Sequence, residues 1–408
     1  MNVLMISPGF PAEMPFFTRG LASVGANAIG LGDQPQSALP VVAREALAAY
    51  VQVGSFTDEA AIFREVEAIH ARARLDRIEC LWEPFMILAA KLREHLGLPG
   101  MSVAETIPFR DKEIMKQRLD EAGIRTPRHA SVTSVAGCRE AAASIGFPST
   151  PIVVKPIAGA GSADTYRVST EDELDAVLPA LRHVPEVSVE EFIEGEDYTF
   201  ETICVDGEIK LFSISFYRPR ALLSRTHEWI SPQTVVVRDV DAPELRAGRE
   251  MGVAVNEALG FKTGFTHMEW FRTPSGEAVF GEIAARPPGA HLVDLMNFAC
   301  DIDVFTGWAE AVCHGRFTQH VERKYNAAWI YKRAQGQGVI QRVEGLAPLM
   351  AELAEHVVVV DLLPLGAPRR NWKQTLVSDG MIIVRHPDLD RTLEIADRFG
   401  TELQMYAG

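Results

Sequence analysis

The sequence has few cysteines, and their spacing indicates neither a disulfide framework nor a metal site. Five cysteines occur in 408 residues, and no two of them form a CxxC pair. An odd number of scattered cysteines predicts free, mostly buried thiols in a reducing cytoplasm. One of them precedes His314, but a single Cys-His pair is more often coincidence than a ligand set. The cysteines are Cys80, Cys138, Cys204, Cys300 and Cys313.

Long basic runs and long apolar runs are also missing. The formal net charge is −15, and no long run of lysine and arginine offsets it. We therefore expect no nucleic acid and no anionic membrane surface as a partner. The longest apolar candidate, VVVVDLLPL, is interrupted by Asp361 and Pro364 and falls short of the roughly 20 residues of a membrane span. The N-terminal MNVLMISPGFP lacks a basic n-region, which predicts a first strand, no signal peptide and a cytoplasmic location.

The glycine patterns of the common nucleotide-binding loops do not occur. The first loop, SPGFP, has one glycine, so the dinucleotide fingerprint is missing and a scaffold or substrate platform is favoured there. Further on, IVVKPIAGAGS places its lysine before the glycines. A Walker loop has its lysine after the glycines, at the start of a helix. This order excludes a P-loop ATPase.

The length and composition predict several globular domains. The chain is 47% hydrophobic and 23% charged, and it is too long for one ordinary core. From residue 1 to about 105, predicted strands and helices alternate, which indicates an open parallel sheet with helices on both faces. The strands or strand ends in this part are predicted at NVLMIS, ANAIGLG, IECLWEPF and LGLPGMS.

The rest of the chain predicts a mixture of α/β and α+β units without internal repeats. A helix is expected after the cap residue Thr170, and hairpins are expected to turn at residues 206–207 and 274–276. The predicted domains are an N-terminal α/β domain (1–105), a subdomain with a mobile lid at about 125–190 (106–195), a catalytic subdomain (196–318) and a small C-terminal α+β subdomain (319–408).

Two segments have compositions that suit a nucleotide. In the first, a strand ending in Lys155 leads into a loop of Gly159, Ala160, Gly161 and Ser162. Glycines let backbone N–H groups approach phosphate oxygens, so this segment fits a flap over a nucleotide or an ordinary turn. The second, VEEFIEGEDYTFE, is either a solvated turn or a linker whose backbone binds adenine while a carboxylate binds ribose.

Two glutamates lie on opposite arms of the second predicted hairpin. Glu269 precedes the turn and Glu282 follows it, so antiparallel pairing brings them together. Neighbouring carboxylates repel unless a cation neutralises them. Oxygen ligands with phosphates nearby suit Mg²⁺, and we expect Mg²⁺ or Mn²⁺ at this position.

The stretch FGEIAARPPGAH continues this arm. Strand alternation would place Phe280, Glu282, Ala284 and Arg286 on one face. In one interpretation Glu282 binds the metal and the fork of Arg286 binds a phosphoryl group. In the other, Arg286 forms a plain ion pair with Asp294 or Glu269.

Taken in order, these segments resemble the ATP-grasp superfamily: Lys112 at the start of a helix, the Lys155 flap, the EEFI linker and the Glu…Glu-x-x-x-Arg hairpin. The resemblance covers residues 1 to about 310, and the tail is similar to the small C-terminal subdomain of biotin carboxylase-like members. Most members have an asparagine ligand where this chain has Ala284, so one metal contact is missing. THMEW and EIAARPPG resemble segments of the bacterial L-amino acid ligases of the bacilysin synthetase type.

The resemblance implies an ATP-grasp fold, with a Rossmann-like first domain, and a set of nucleotide contacts. Lys112 and Lys155 would bind the α- and β-phosphates, the loop 159–162 would close over the γ-phosphate, and Asp197 (or Glu196) would bind ribose. Glu269 and Glu282 would hold magnesium, and Arg286 would steady the transferring phosphoryl group. The predicted ATP-binding residues are Lys112, Lys155, Gly159, Ala160, Gly161, Ser162, Glu190, Glu191, Phe192, Ile193 and Asp197.

The basic stretch YRPRALLSRTHEW contains the main remaining local positive charge. Its charges are either solvated or, as in similar loops of ATP-grasp ligases, border a carboxylate substrate and its acyl phosphate. The predicted catalytic residues are Lys155, Arg225, His227 and Arg286. The predicted substrate residues are Arg218, Arg220, His267, His291 and Asp294, of which the last two would lie on the amine side.

The implied activity is an ATP-dependent carboxylate–amine ligase that forms an amide bond through an acyl phosphate. We expect ATP, a divalent metal and small carboxylate and amine substrates, amino acids among them, and a homodimer through the first sheet domain. An ATP-grasp carboxylase related to biotin carboxylase or to purine-pathway enzymes is the nearest alternative. A non-catalytic ATP-binding module is another, although such a module would be expected to lose Glu269, Glu282 and Arg286.

Overall fold

The N-terminal part of the chain is a parallel sheet covered by helices on both faces, as predicted. The structure, a computed structural model, describes residues 1–157, 165–375 and 377–408. The four strands of the first sheet lie in the order β3-β2-β1-β4, all parallel. They are β1 (Asn2–Ile6), β2 (Asn27–Gly32), β3 (Ala49–Gln52) and β4 (Arg77–Glu79), and the helices between and after them are α1 (Met14–Ser23), α2 (Val41–Ala46), α3 (Glu59–Ala73), α4 (Met86–Leu96) and α5 (Val103–Thr106).

Strand β1 shows why both faces are covered. Val3 and Met5 pack in one apolar cluster with α1, whereas Leu4 and Ile6 pack in another with α3 and α4. Successive side chains of a strand point to opposite faces, so an uninterrupted apolar strand requires a helical layer on each side.

The prediction of a strand or strand end at LGLPGMS is wrong. Gly97 ends α4 in the left-handed conformation (φ 63°), and residues 97–102 form a loop. The buried side chain of Arg93 donates hydrogen bonds to the carbonyl oxygens of Met101 (2.8 Å) and Ile78 (2.9 Å). A side chain thus satisfies backbone groups that a strand would have paired.

The next unit is a four-stranded antiparallel sheet in the order β5-β8-β6-β7. Helix α6 begins at Lys112 behind the cap residue Asp111, and Thr170 caps the predicted helix after β7 through the N–H of Glu173. The elements are α6 (Lys112–Glu121), β5 (His129–Val132), α7 (Val135–Ile145), β6 (Ile152–Pro156), β7 (Tyr166–Val168), α8 (Glu171–Ala180) and β8 (Val187–Glu191).

An eight-stranded antiparallel sheet forms the centre of the molecule, in the order β13-β12-β9-β10-β11-β14-β18-β17. The predicted hairpin turns at 206–207 and 274–276 are confirmed. The elements of this part are β9 (Glu196–Val205), β10 (Glu208–Arg218), α9 (Ala221–Thr226), β11 (Gln233–Val236), α10 (Arg246–Ala258), β12 (Gly264–Arg272), β13 (Ala278–Ala284), α11 (Leu292–Cys300) and α12 (Val304–His314).

The C-terminal residues extend this sheet and add a small one. Strands β14, β17 and β18 continue the central sheet, and β15, β16 and β19 form a separate sheet in the order β15-β19-β16. The elements are β14 (Asn326–Lys332), β15 (Gln335–Gly336), β16 (Ile340–Glu344), α13 (Leu346–Leu353), β17 (Val357–Leu362), β18 (Gly380–His386), α14 (Leu389–Glu402) and β19 (Gln404–Ala407). Short 3₁₀ turns lie at Gln36–Ala38, Glu83–Phe85, Ile107–Phe109, Pro243–Leu245 and Ala354–His356. The combination of a parallel sheet and a larger antiparallel sheet confirms the predicted fold class.

The two faces of the central sheet differ in polarity. Phe200, Ile214, Met268 and Trp270 point into an apolar core. The alternate positions of the same strands carry Glu201, Ser215, His267 and Glu269, and the β13 partner of Glu269 is Glu282. This second face is therefore the one on which charged chemistry can take place.

Phe280 does not share the face of Glu282, contrary to the prediction. A β-bulge shifts the register between Glu269 and Trp270, so that Glu282 pairs with Glu269 while Phe280 pairs with Trp270. Phe280 is fully buried in the apolar core. Gly281 provides the extra residue of the bulge, and a Cβ there would lie 2.8 Å from the carbonyl oxygen of Glu269.

The five cysteines are free and buried, as expected. In the described part of the chain, no helix combines the length and the apolarity that crossing a membrane requires.

Candidate active site

The predicted pair of carboxylates is assembled on the polar face of the central sheet. Glu269 and Glu282 are direct cross-strand partners, and their side chains are 40% and 31% exposed. Lys112 Nζ lies 3.4 Å from Glu282 Oε2. Burial alone would raise the pKa of Glu282, but Lys112, Lys155 and Arg286 lower it to about 2. Glu282 is therefore an anion at any physiological pH and can serve as a ligand for a cation.

A second, buried carboxylate holds the flap lysine. Lys155 Nζ lies 2.9 Å from Glu190 Oε2, and Lys116 pairs with the other oxygen of Glu190. Burial alone would raise the pKa of Glu190, but the two ammonium groups hold it well below its usual range. Lys116 was not among the predicted residues, although its i,i+4 spacing from Lys112 places both on one side of α6. Lys112, Lys116 and Lys155 together concentrate positive charge in a strongly acidic chain.

Arg286 is paired with a residue that the sequence analysis missed. Its Nε and Nη2 lie 2.8 and 2.7 Å from Glu83 Oε2, and Nη1 donates to the carbonyl oxygen of Pro287 at 2.8 Å. Glu83 also pairs with Arg110. Asp294 and Glu269, the partners considered from the sequence, are not the ones observed. Glu83 belongs to the first domain and is 203 positions away from Arg286, so no local pattern indicates the contact.

His267 forms a hydrogen bond with Glu201, a second residue that the sequence analysis did not predict. His267 Nδ1 lies 2.9 Å from Glu201 Oε1, and its Nε2 lies 3.8 Å from Glu269 Oε1. Burial alone would lower the pKa of His267, but the hydrogen bond to Glu201 and the nearby negative charge of Glu269 raise it to about 9. Glu201 is fully buried, and its Oε2 has no hydrogen-bond partner among the described residues. A lone acid in the apolar run TFETICV was the signal for this position, because buried carboxylates are rare unless they have a function or a partner.

The predicted adenine linker joins β8 to β9 and is engaged by two arginines. The guanidinium groups of Arg167 and Arg220 lie 4.4 and 5.0 Å from the ring centre of Phe192. Arg220 also donates to Asp197 Oδ1 at 2.7 Å and to the carbonyl oxygen of Ile193 at 3.0 Å. Burial raises the pKa of Asp197, and Arg220 opposes this rise. Arg220, predicted as a substrate residue, therefore lies against the predicted nucleotide residues.

The side chain of Glu191 points towards two other arginines, Arg125 and Arg128. Its carboxylate pairs with Arg125 and Arg128 at 3.2 and 3.3 Å, and its N–H donates to the carbonyl oxygen of Arg128 at 2.8 Å. These contacts fix the start of the linker. The carboxylate of Glu191 is therefore engaged by these arginines, and the contact of the linker backbone with adenine stays a prediction.

Among the other predicted residues, His291 and Asp294 are brought together. His291 Nδ1 lies 2.8 Å from Asp294 Oδ2, and the His291 N–H donates to Glu13 Oε1 at 2.9 Å. The His291 ring lies 4.9 Å from that of Trp329 on the polar side of the sheet. Glu13 was not predicted, and it comes from the loop after β1.

Arg218 and His227 are placed less favourably for the predicted roles in substrate binding and catalysis. Arg218 lies on the opposite face of β10 from Tyr217, whose hydroxyl donates to Glu269 at 3.4 Å, and Arg218 forms a two-pronged pair with Asp397. A substrate contact by Arg218 is therefore not supported. His227 is exposed at the end of α9, with Nδ1 3.0 Å from Thr226 Oγ1. The side chain of Arg225 and residues Gly159, Ala160, Gly161 and Ser162 lie outside the described residues.

The residues present fit a divalent metal only in part. Two neighbouring carboxylates supply the oxygen atoms that Mg²⁺ prefers. In the described ranges, however, no group of three or more His, Cys, Asp or Glu side chains is arranged to hold a metal ion. A metal at Glu269 and Glu282 would therefore need further ligands from a bound phosphate or from water.

Models of known protein families match two consecutive segments of the chain. A model of the ATP-grasp N-terminal domain matches residues 25–100, and a model of the ATP-grasp domain matches residues 109–219. These two segments are ATP-grasp domains. The second match contains Lys112, Lys155 and the EEFI linker, which are three of the features that carry the resemblance.

Curated relatives of this ATP-grasp chain include amino acid ligases. It is 26% identical over 237 residues to the L-arginine-specific L-amino acid ligase of Bacillus subtilis, a match that covers 56% of each chain. It is 27% identical over 283 residues to an alanine–anticapsin ligase of Bacillus subtilis, with 63% of this chain and 58% of the relative covered. The chain thus matches a little over half the length of these relatives.

A solved structure covers the whole ATP-grasp chain. The L-amino acid ligase from Bacillus licheniformis superposes with a TM-score of 0.79 at 19% identity, over 100% of this chain and 98% of the other. At this identity the likeness shows a common fold, including the C-terminal region that lies outside the two family models.

Proposed function

We propose that this ATP-grasp protein is an ATP-dependent ligase that joins a small carboxylate to an amine through an acyl phosphate. The observation that carries the proposal is the polar face of the central sheet. On it, an opposed pair of carboxylates lies beside Lys112, Lys155 and Arg286. Buried acids hold Lys155 and Arg286 in position, and Lys112 pairs with Glu282. Such a site can bind a polyphosphate and neutralise charge that moves during transfer.

Each residue of this site has a defined task in the proposal. Lys112 and Lys155 bind phosphate oxygens of ATP, and Glu190 keeps Lys155 extended towards them. Glu269 and Glu282 hold magnesium, which, when bound, supplies positive charge next to the phosphates. Arg286 presents a guanidinium of fixed orientation to the phosphoryl group that is transferred. The chain itself contributes positioning and charge and forms no covalent bond with the substrate.

The amine is proposed to bind near His291. Glu13 and Asp294 place two carboxylates next to this residue, and an ammonium group favours such surroundings. The attack of the amine on the acyl carbon forms the amide bond and expels phosphate. A general resemblance to amino acid ligases supports amino acids as the first substrates to test.

Phosphate release against pairs of amino acids and small carboxylates tests the proposal. We expect ADP and phosphate in equal amounts only when both a carboxylate and an amine are present, and we expect hydroxylamine to trap the activated carboxylate as a hydroxamate. Glu282→Gln should abolish both signals. If bicarbonate alone supports turnover, the protein is a carboxylase. If ATP binds without any turnover, the protein is a non-catalytic ATP-binding module.

A further inference from the structure

A short segment after β10 connects two distant parts of the chain. We name residues 219–230 the strap. The strap contains α9, which has six residues. A helix of this length is not stable in water by itself, so the contacts at the two ends of the strap determine where it lies.

The first end of the strap is attached to the nucleotide linker. Arg220 Nε donates to Asp197 Oδ1 at 2.7 Å, and the N–H of Ala221 donates to Asp197 Oδ2 at 3.0 Å. Arg220 Nη2 donates to the carbonyl oxygen of Ile193 at 3.0 Å. Both oxygens of the buried Asp197 and the backbone of the linker are thus engaged by the strap.

The other end of the strap is attached to the C-terminal region. Arg333 Nη1 donates to the carbonyl oxygens of His227 and Glu228 at 2.8 and 3.3 Å. Arg369 pairs with the carboxylate of Glu228, and its guanidinium lies 5.2 Å from the ring centre of Trp229. These contacts combine charge, hydrogen bonds and stacking on one stretch of three residues.

The segments that carry the two arginines are linked through one buried acid, Asp379. The side chain of Arg369 is 5% exposed, with Nε 3.6 Å from the fully buried Asp379. Asp379 accepts hydrogen bonds from the N–H groups of Ala334 and Arg370 at 2.8 and 2.7 Å. Asp379 thereby joins the segments that carry Arg333 and Arg369. The strap is attached to these two joined segments of the C-terminal region.

We propose that Arg333 and Arg369 are positioning residues that hold the strap against the nucleotide linker, and that through the strap they set the affinity for ATP. The second half of this inference rests on the proposed function. The first half does not, because the order of the strap can be measured without turnover. The C-terminal region would accordingly support the nucleotide site, although it lies outside the ATP-grasp domain match.

Hydrogen exchange of the backbone amides in residues 221–230 tests the first half on the full chain. Arg333→Met and Arg369→Met should each accelerate this exchange about tenfold, because the last turn of a short helix opens when its anchor is lost. Glu228→Gln should act like Arg369→Met, and the two together should exceed either alone only slightly, because they break one ion pair. Unchanged exchange in residues 2–6 shows that each variant is folded.

Arg342→Met is the matched control. Arg342 is also a C-terminal arginine, stacked over Tyr406 at 4.3 Å and paired with Glu344 at 3.1 Å, and none of its described contacts is with the strap. It should leave the exchange of the strap unchanged. If Arg333→Met and Arg369→Met give the same exchange as Arg342→Met, the strap is not held by these arginines and the inference is overturned.

The kinetic measurement separates positioning from general stability. We expect Arg369→Met to raise the KM for ATP about fivefold while kcat changes less than about twofold, and Arg369→Lys, which keeps the charge opposite Glu228, to recover part of the loss. A strap that exchanges faster while the KM for ATP stays the same would refute the effect on nucleotide affinity. If the wild type proves to have no ligase activity, the proposed function fails, whereas the exchange result still decides whether the strap is anchored.

Discussion

Replacement of Glu83 by glutamine is the most informative single change in the site. The carboxylate of Glu83, which follows β4, binds two arginines: Arg286, which follows β13, and Arg110, which precedes α6. The side chains of Glu83, Arg110 and Arg286 are 9%, 16% and 17% exposed. Glutamine keeps the shape of the side chain and one acceptor, but it removes the negative charge between two guanidinium groups.

The expected cost follows from this burial. Removal of one partner of a buried ion pair costs about 3–5 kcal/mol, because the remaining charge stays uncompensated. Since glutamine retains an acceptor, we expect a loss of about 3 kcal/mol in the free energy of unfolding. Arg286 would also lose its fixed orientation, and a misplacement of about 1 Å at a reacting group lowers the rate about 100-fold. We therefore expect kcat for ADP formation to fall by about two orders of magnitude.

Urea unfolding and ADP release measure the two effects, and Glu59→Gln is the control. Glu59 is an acid of the same domain and pairs with Lys91 at 2.8 Å, but its side chain is 50% exposed. Exposed pairs contribute about 0–1 kcal/mol, so the control should unfold almost like the wild type and keep its activity. If Glu83→Gln behaves like Glu59→Gln, then Glu83 neither stabilises the domain contact nor orients Arg286.

Three further predictions concern the lysine, the metal and pH. Lys155→Ala should abolish ADP formation with an unchanged fold by circular dichroism; near wild-type turnover at saturating Mg²⁺ would show that its task is assigned wrongly. Calorimetric titration should show weak Mg²⁺ binding to nucleotide-free protein and tight binding with nucleotide, and Ala284→Asn should be tolerated and tighten metal binding modestly; strong binding before nucleotide is added would mean that other ligands exist. Burial alone would lower the pKa of His129, but hydrogen bonds to Glu113 and Asp120 raise it above the usual value. The imidazolium therefore stabilises the fold below the unfolded pKa of about 6.5, and this contribution is lost as the pH rises through the raised folded pKa. The stability difference between wild type and His129→Gln should accordingly be larger at pH 6 than at pH 9 in urea unfolding, and a difference independent of pH would contradict it.

The part of the site that the sequence predicts is the part that local geometry determines. Residues 274–276 form a tight turn, and a turn fixes which residues of its two strands are opposite each other. Glu269 and Glu282 could therefore be placed near each other without knowledge of the fold, although the register of the turn alone would put Gly281 opposite Glu269. Lys112 behind the cap Asp111, and Lys155 at the end of an apolar strand, are equally local features.

The remaining features depend on contacts that no local pattern contains. The bulge at Gly281 shifts the register by one residue, so that Glu282 becomes the partner of Glu269 on the polar face while Phe280 stays on the apolar face. Glycine in a strand is compatible with a bulge without requiring one. The Glu83–Arg286 pair joins two domains, and Glu13 reaches His291 across a similar separation in sequence. Such contacts follow from the packing of domains, which strand and helix periodicity does not determine.

The most direct test of the acyl phosphate is the transfer of oxygen from the carboxylate to phosphate. A carboxylate that is active in the phosphate-release screen is labelled with ¹⁸O and incubated with the protein, ATP, Mg²⁺ and the amine. Attack of a carboxylate oxygen on the γ-phosphorus leaves that oxygen on the phosphate when the amine displaces it. We predict one ¹⁸O atom in each phosphate released and one fewer in the amide product. Phosphate without label, at the same rate of ADP formation, would contradict the mechanism, because ATP would then have been hydrolysed by water.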